Sequence, residues 1–461
     1  MYVENVKYAL KTPLIFVPFK KAASERDTNS MYVENVNCSV FNAQNSFQTS
    51  KITFKAPKSL QSPFKTFLTL KTRFKLNFPR SINIIASKGG FLALKLFFSA
   101  GEASGDVHGA TLARQIKKIA PETEILGFGG NLMQNSGVKL VRNYKNYNVM
   151  GVVEVLFNIR KIFKLLDDLT EIIRAEKPDL LILIDYPDFN WRLARRVKKF
   201  GVKILSYIPP SAWAWRKGRA KACAEVADAF ISIFPFELPV YQAAGAKIFF
   251  LGNPLVDTVK NSMSNADSRE FFGVNPSDKV ILLMPGSRKQ EIKLLLPDML
   301  ATTKFLGKNF KFFLPVADNV ENLINVSGFD VKLVNSAHRY DLMSIADAAI
   351  ATSGTVVLES ALLNLPCVVL YKMAPLNFLI GKLLVDIKYF SLPNILADEK
   401  VLPELLQNDV TPQKISAEVN KILDDRANVV KKLQSACEKL GEHGAATRIA
   451  KKILEIAGDK S

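Results

Sequence analysis

The chain has 461 residues, of which 48% are hydrophobic, and its 62 Lys and Arg exceed its 43 Asp and Glu to give a formal charge of +19. This composition excludes global disorder, and the length predicts two or three folded domains. The four Cys and three His are scattered along the chain, which argues against a disulfide scaffold and a structural zinc site. No uninterrupted apolar run is long enough to predict a membrane-spanning helix.

The N-terminal segment differs in composition from the rest of the chain. Residues 1–95 contain 15 Lys and Arg but four Asp and Glu, and the hexapeptide Met-Tyr-Val-Glu-Asn-Val begins at both Met1 and Met31. Because no helical or strand period is sustained there, we interpret residues 1–91 as a basic, disordered extension. Its origin is open: a genuine extension, an upstream start codon, or an organelle (mitochondrial) transit peptide.

From residue 92 onward, short apolar runs alternate with longer amphipathic stretches, which is typical of strand–helix–strand units around a parallel sheet. The predicted strands of the first half are residues 94–99, 124–128, 180–184, 203–207, 229–233 and 247–251. After a polar stretch, further strands are predicted at residues 280–284, 310–315, 331–334, 348–351 and 367–371. The sequence therefore predicts an α/β fold with two doubly wound, Rossmann-like domains, at residues 92–265 and 266–461. Helices that follow Thr411 are expected to close the second domain.

Ligands of parallel sheets bind where loops leave the carboxyl ends of the strands. The first such loop, residues 99–106, is a small-residue turn before a helix predicted to begin near Val107. Its candidate binding residues are Glu102, Ser104, Gly105 and Asp106. Glycines allow a close backbone approach to a ligand, and the polar side chains exceed what a bare turn needs.

The second loop follows the very apolar strand 180–184 and contains Asp185, Asp188 and Asn190. A carboxylate at the end of a buried strand is partly desolvated, which raises its basicity. Asp185 is therefore the candidate general base, whereas Asp188 is the better candidate for a helix cap.

The third loop, residues 209–216, contains Ser211, Trp213 and a second Trp beside basic residues. These aromatic rings could form a sugar or lipid pocket, stack on bases, or pack between domains. No nucleic-acid motif accompanies them, so we predict no nucleic-acid partner.

Two loops of the second half carry groups suited to phosphate. Gly286 and Ser287 supply backbone N–H groups, and Arg288 offers a guanidinium fork that matches phosphate oxygens. In the second loop, Ser353, Gly354 and Thr355 precede a helix, with Glu359 one turn further. Helix N-termini bind phosphate, and the Glu359 carboxylate is placed to bind ribose hydroxyls.

The ordered set of segments resembles the lipid-A-disaccharide synthase family of glycosyltransferases, from about residue 96 to the C-terminus. The most specific segments are SAGEASGD at Ser99, MGVVEVL at Met150, IDYPDFN at Ile184, PSAWAWR at Pro210, PGSR at Pro285, SGTVVLE at Ser353, YKMAPLNF at Tyr371 and SLPNIL at Ser391. This resemblance implies a B-type glycosyltransferase fold with the active site in the cleft between its domains. The sequence departs from the family pattern at Tyr186, where many members have Ala.

The resemblance also implies a reaction. A 2,3-diacylglucosamine unit would pass from UDP-2,3-diacylglucosamine to 2,3-diacylglucosamine 1-phosphate (lipid X), with inversion, a β(1→6) linkage and release of UDP. Asp185 would act as the base or position the acceptor, and Arg288 would bind the diphosphate. The 353–359 segment would hold UDP, and the 102–106 loop would line the acceptor side. No metal or other cofactor is expected, because enzymes of this fold stabilise the leaving group with basic side chains and helix N-termini.

The acylated substrates imply peripheral contact with a membrane, at the cytoplasmic face of the inner membrane. The candidate surfaces are an apolar stripe at residues 155–169, which could instead face the core, and residues 375–384, which could also form a core or homodimer contact. Two alternatives to this function stay open. One is another UDP-sugar enzyme of the same fold, and the other is a non-catalytic lipid- or nucleotide-binding relative.

Overall fold

The computed structural model describes residues 94–147, 152–213, 218–316, 320–373, 378 and 387–459, and two strands near the N-terminus; within helix 152–176, side chains are described from Arg160 onward. The chain divides into two units, Met1–Gly90 and Phe91–Ser461. In the described part of the chain, no helix is long and apolar enough to cross a bilayer.

The N-terminal unit contains one antiparallel strand pair. Strand β1 (Val36–Phe41) pairs with β2 (Phe47–Ile52), in a register that places Val36 opposite Ile52. The prediction that residues 1–91 are disordered therefore does not hold for these two strands.

In the second unit, the first half of the chain forms a parallel sheet of seven strands among the described residues, in the order β5-β4-β3-β6-β7-β8-β9. The strands are β3 (Lys95–Ser99), β4 (Glu124–Gly129), β5 (Lys139–Asn143), β6 (Leu180–Ile184), β7 (Lys203–Tyr207), β8 (Ala229–Ser232) and β9 (Ile248–Phe250). All five residues of β6 are buried, because helices cover both faces of the sheet.

The helices of the first half are α1 (Ala103–Ile119), α2 (Asn131–Asn135), α3 (Val152–Glu176), α4 (Pro187–Val197), α5 (Gly218–Ala224), α6 (Leu238–Ala243) and α7 (Leu255–Thr258). Leu169 of α3 and Leu193 of α4 are buried against one face of the sheet. Leu112 and Ile116 of α1 are buried against the opposite face. The amphipathic helices thus form one layer on each side of the strands.

The second half forms a parallel sheet of six described strands, in the order β12-β11-β10-β13-β14-β15. The strands are β10 (Lys279–Met284), β11 (Phe310–Val316), β12 (Val331–Asn335), β13 (Ala348–Thr352), β14 (Cys367–Tyr371) and β15 (Glu404–Leu406). Its helices are α8 (Asn265–Phe272), α9 (Lys289–Leu306), α10 (Arg339–Ile345), α11 (Thr355–Leu362), α12 (Leu392–Ala397), α13 (Pro412–Asp424), α14 (Arg426–Glu438) and α15 (Ala445–Gly458). Thr411 caps α13 by accepting a hydrogen bond from the backbone N–H of Lys414.

The last helix lies on the first sheet. Ile449 and Ile453 of α15 are fully buried in the core that contains Ile116 of α1. In addition, the Arg448 guanidinium donates a 2.9 Å hydrogen bond to the Leu251 carbonyl. We expected the C-terminal helices to close the second domain; this holds for α13, which packs against the second sheet, but not for α15. An apolar helical face predicts burial but does not identify the sheet that the helix will cover.

Two further elements differ from the sequence prediction. Strands β5 and β15 were not predicted, because they are short edge strands with partly exposed residues and no continuous apolar run. Helix α1 begins at Ala103 rather than near Val107. Residues 104–106 therefore lie in the first helical turn and not in a loop.

Both sheets are doubly wound, so each has a point where the strand order reverses. In the first sheet this point lies between β3 and β6, and in the second it lies between β10 and β13. The loops that leave neighbouring strands at such a point diverge to opposite faces and leave a crevice that binds ligands. Four of the five predicted loops follow these four strands.

Candidate active site

At the reversal point of the first sheet, a buried amide joins the first two predicted loops. The Asn190 side-chain nitrogen donates to the backbone oxygens of Ser99 at 3.1 Å and Asp185 at 2.6 Å. Its Oδ1 accepts a 2.6 Å hydrogen bond from Ser99 Oγ. Because all of these groups are buried or half-buried, they fix the backbone direction at Asp185.

The backbone at this edge of the sheet is strained. Asp185 and Tyr186 have φ values of 48° and 49°, and Ile208, which follows β7, has a φ of 60°. Such left-handed conformations cost on the order of 1–3 kcal/mol each in non-glycine residues and are rarest for β-branched ones. Hydrogen bonds hold them, since Asp185 N donates to the Tyr207 carbonyl at 3.1 Å and Ile208 N to that of Ile231 at 3.0 Å. Strain of this kind clusters at functional sites, which supports this edge as the active site.

The first loop makes room for Tyr186. A Cβ atom on Gly101 would lie 2.0 Å from Tyr186 Cδ1, so no other residue fits at Gly101 in this conformation. The tyrosine ring also packs against Phe189, at 5.7 Å between ring centroids. Tyr186, which stands where many family members have Ala, is therefore accommodated by packing against residues of the first two loops.

Asp185 is poised to accept a proton. Burial and, second to it, the nearby Glu102 carboxylate raise its pKa to about 6, against the opposing effects of the Tyr186 N–H and the Ser104 hydroxyl. Ser104 also donates a 3.2 Å hydrogen bond to Glu102 Oε1. With a pKa of about 6, Asp185 is ionised at neutral pH and still holds a proton more tightly than an ordinary aspartate.

A cavity of about 360 Å³ opens beside Asp185. Trp213 and Phe236 form its aromatic wall, with ring centroids 5.0 Å apart in an edge-on arrangement. Ser211 also lines the cavity, and Leu392 contributes from α12 in the second half of the chain. This volume lies within the range of small-molecule sites, and the cavity joins the two sheet domains.

At the reversal point of the second sheet, the two predicted phosphate loops are neighbours. Gly286 has a φ of 101°, and a Cβ atom there would lie 2.9 Å from Thr352 Cγ2, directly before Ser353. Arg288 follows in the same loop with a side chain that is 82% exposed and donates to Glu291 at 3.1 Å. Because the arginine end of this ion pair is exposed to solvent, the pair is weakened, and the guanidinium can turn to an incoming phosphate.

The loop after β13 presents the open N-terminus of α11. Gly354 and Thr355 are exposed, whereas Ser353 is held by its backbone N–H to the Leu370 carbonyl and by its hydroxyl to the Phe390 carbonyl. The first N–H groups of a helix have no partner within the helix. This turn is therefore suited to an anionic oxygen.

Comparison with known proteins agrees with this geometry. The family model described as lipid-A-disaccharide synthetase matches residues 96–456. The lipid-A-disaccharide synthase of Geobacter sulfurreducens is 40% identical over 375 residues, which cover 79% of this chain and 97% of that protein. The enzyme of the same name from Myxococcus xanthus is 36% identical over 78% of this chain and 97% of its own length.

The chain belongs to the lipid-A-disaccharide synthase family. The predicted family and the predicted class, a hexosyltransferase, are thereby confirmed. Among solved structures, the calicheamicin glycosyltransferase CalG4 has a TM-score of 0.57 at 12% identity, covering 80% of this chain and all of that one. A UDP-GlcNAc 2-epimerase from Neisseria meningitidis has a TM-score of 0.53 at 13% identity, covering 78% and 99%. These likenesses confirm the predicted fold of two Rossmann-like domains.

Three residues predicted to bind substrate have structural roles in this member of the family. The Asp106 carboxylate is buried and accepts hydrogen bonds from the backbone N–H groups of Gly130, Leu132 and Met133, so it caps α2. Gly105 is buried against Ala100. The amide of Asn190 is used within the protein, as described above. The other predicted residues of the first half are close together. Glu102 and Ser104 lie beside Asp185, and the cavity is lined by Asp185, Ser211 and Trp213.

Glu237 and Arg339 are charged residues at the site that the sequence did not predict. Glu237 lines the cavity beside Asp185 and is buried; burial raises its pKa to about 7, and the Ser232 hydroxyl donates to it. Glu237 lies in the segment that follows the carboxyl end of β8. Ligands of parallel sheets bind at such strand ends, so the same reasoning applied to β8 would have found it. Arg339 donates a 3.2 Å hydrogen bond to Glu359, whose side chain is 13% exposed. No motif marks Arg339.

Proposed function

We propose that this protein transfers 2,3-diacylglucosamine from UDP-2,3-diacylglucosamine to 2,3-diacylglucosamine 1-phosphate, forming a β(1→6) linkage and releasing UDP. The observation that carries the proposal is the Asp185 carboxylate, which lies at the reversal point of the first sheet beside a cavity that reaches the second domain. In a chain of this family, such a carboxylate is suited to activate the acceptor hydroxyl.

The transfer is a single displacement. The Asp185 carboxylate takes the proton of the acceptor's 6-hydroxyl, and the oxygen attacks C1 of the donor sugar from the face opposite UDP. The bond between C1 and the diphosphate oxygen breaks, and its electron pair stays on UDP. Attack from the opposite face inverts the configuration, so no covalent intermediate with the enzyme is needed.

Negative charge grows on the diphosphate as this bond breaks. Arg288 and the backbone N–H groups of the exposed residues Gly354 and Thr355 lie in neighbouring loops, where they are suited to stabilise that charge. Glu359 would accept hydrogen bonds from the ribose hydroxyls, with Arg339 holding its carboxylate in position. We propose that these groups act without a metal ion, and excess EDTA should then leave the rate unchanged.

We infer that the protein works at a membrane surface, at the cytoplasmic face of the inner membrane, because both substrates carry acyl chains. Leu166 and Leu169 of α3 are buried, as expected for core packing, but Phe163 is exposed beside the exposed Lys161 and Lys164. An aromatic ring among cations suits contact with anionic lipid. Replacing Phe163 by Ser should reduce sedimentation with anionic vesicles; an unchanged bound fraction would contradict this contact.

Of the second candidate surface, residues 375–384, the structure describes only Phe378, which is half-buried. Homodimer formation through this segment and the organelle alternative for localisation stay predictions. Each awaits its own measurement, by sedimentation velocity and by fractionation of cells respectively.

The test of the reaction is release of UDP by the full chain from the two detergent-dispersed substrates, with mass analysis of the lipid product. The expected product is the tetraacyl disaccharide 1-phosphate. A folded protein that binds UDP but yields no disaccharide would overturn the proposal and favour a non-catalytic relative. Conversion of UDP-N-acetylglucosamine to its 2-epimer would favour an epimerase instead.

A further inference from the structure

A basic side chain lies in the same cavity as Asp185 without a strong partner. Arg219 of α5 lines the cavity, and its side chain is 19% exposed. Its guanidinium donates a 3.0 Å hydrogen bond to Asp188, whose side chain is 92% exposed. The two partners of this ion pair therefore differ in exposure: the arginine lies in the cavity wall, and the carboxylate is almost fully in solvent.

Most of the ionisable side chains that line the cavity are acidic. Among the described residues that line it, Arg219 is the single basic side chain, whereas Asp185, Asp188 and Glu237 are acidic. An ion pair with so exposed a carboxylate is weak and exchanges readily. The planar guanidinium forms two parallel hydrogen bonds to phosphate oxygens, which suits it to a phosphate monoester more than to a single exposed carboxylate.

We propose that Arg219 binds the 1-phosphate of the acceptor sugar. This inference rests on the proposed function, in which the acceptor is a hexosamine that reacts through its 6-hydroxyl. On a pyranose ring, C1 and C5 flank the ring oxygen, so the anomeric phosphate on C1 and the 6-hydroxyl on the C5 branch leave the ring on either side of that oxygen. A sugar that offers its 6-hydroxyl to Asp185 thus directs its phosphate to another part of the cavity, and Arg219 supplies the matching charge there.

The walls between these two groups suit a sugar ring. Trp213 and Phe236 present aromatic surface in the same cavity, against which the C–H faces of a hexose can pack. A volume of about 360 Å³ is near the lower end of ordinary ligand sites, which fits a monosaccharide phosphate better than a nucleotide sugar. The acyl chains would leave the cavity at its open side.

Asp188 then acts as a temporary partner of Arg219. In the free enzyme it keeps the guanidinium at the cavity, and the doubly charged phosphate replaces it on binding. Asp188→Asn should therefore leave the KM for the phosphorylated acceptor unchanged or lower it, whereas a carboxylate that itself bound the acceptor would raise the KM when replaced.

The decisive experiment pairs a variant with a change in the substrate. For Arg219→Ala, we expect the KM for the phosphorylated acceptor to rise about 10- to 100-fold, the loss expected for a charge-assisted contact. With 2,3-diacylglucosamine lacking the phosphate, wild type and variant should be alike. Lys221→Ala is the matched control, since Lys221 is an exposed cation on the same helix that does not line the cavity.

A binding measurement without turnover separates this inference from the proposed reaction. Glucosamine 1-phosphate should bind the full-length wild type more tightly than Arg219→Ala, by titration calorimetry, while UDP binds both equally. Arg219→Lys should retain part of the difference. Equal affinity of wild type and Arg219→Ala for glucosamine 1-phosphate, or an equal loss with both acceptors, would overturn the inference even if the transfer reaction is confirmed.

Discussion

Replacement of Asp185 by Asn should abolish most of the activity and at the same time stabilise the fold. The asparagine keeps the shape of the side chain but cannot accept the acceptor's proton, so kcat should fall by about 10²- to 10⁴-fold. It also removes a charge that the folded protein disfavours, because the site is buried and Glu102 is close by. The two effects have one cause, namely the environment that makes Asp185 basic.

The size of the stabilisation follows from the pKa. A rise from the ordinary 3.8 to about 6 corresponds to about 3 kcal/mol, at about 1.4 kcal/mol for each tenfold change in proton affinity. The folded state binds this proton more tightly than the unfolded state. Ionisation therefore reduces the stability of the wild type as the pH rises from about 4 to about 6, and the full reduction is present above that range.

The assay is urea unfolding of wild type and Asp185→Asn, followed by tryptophan fluorescence from pH 5 to pH 8, with UDP release measured on the same samples. The variant should be more stable at pH 8 by up to about 3 kcal/mol, and the difference should shrink toward pH 5. A variant that is less stable than wild type at pH 8, or a difference that does not depend on pH, would refute the reasoning.

Three further predictions address the surroundings of the site. Glu102→Gln removes the charge that raises the pKa of Asp185, so the acidic limb of kcat/KM should move to lower pH; an unmoved limb would exclude this coupling. Asp106→Ala leaves three backbone N–H groups at the start of α2 unpaired, which should lower the free energy of unfolding by about 3 kcal/mol without changing KM, as denaturant titration and kinetics can check. Glu404 accepts hydrogen bonds from the backbone N–H and the hydroxyl of Ser391, and the carbonyl of the preceding Phe390 accepts one from the Ser353 hydroxyl. Glu404→Ala should therefore displace Ser353 and weaken UDP binding in a calorimetric titration; unchanged affinity would contradict this role.

The strands of the two sheets could be predicted because parallel strands covered on both faces must be apolar throughout. The run Leu180–Ile184 shows this, since it is predicted and observed with the same limits. Edge strands have no such requirement, and β5 and β15 were missed for that reason. The sequence also could not predict which sheet α15 packs against, because the apolar face of a helix has the same pattern on either sheet.

The position of the candidate site could be predicted as far as strand ends determine it. Asp185, Arg288 and Ser353 each follow a strand at a reversal point, where ligands of parallel sheets bind, and their roles in binding and catalysis stay predictions. Asp106 and Asn190 are polar residues of the same segments, and sequence alone could not tell that their side chains bind the protein's own backbone. Arg219 is one of the basic residues noted beside the two Trp, but the sequence does not single it out among them, and no motif marks Arg339. Both lie on helices whose positions depend on the packing of the whole unit.

The return of α15 to the first sheet has a consequence for biosynthesis. Ile449, Ile453 and Ala457 complete a core whose earliest strand begins at Lys95, so the first domain needs residues that are synthesised after the whole second sheet. Its core stays open until α15 has left the ribosome, even though all of its strands emerge earlier. A chain that stops before Ala445 would therefore lose stability in the domain that carries Asp185, the one farthest from the break in sequence.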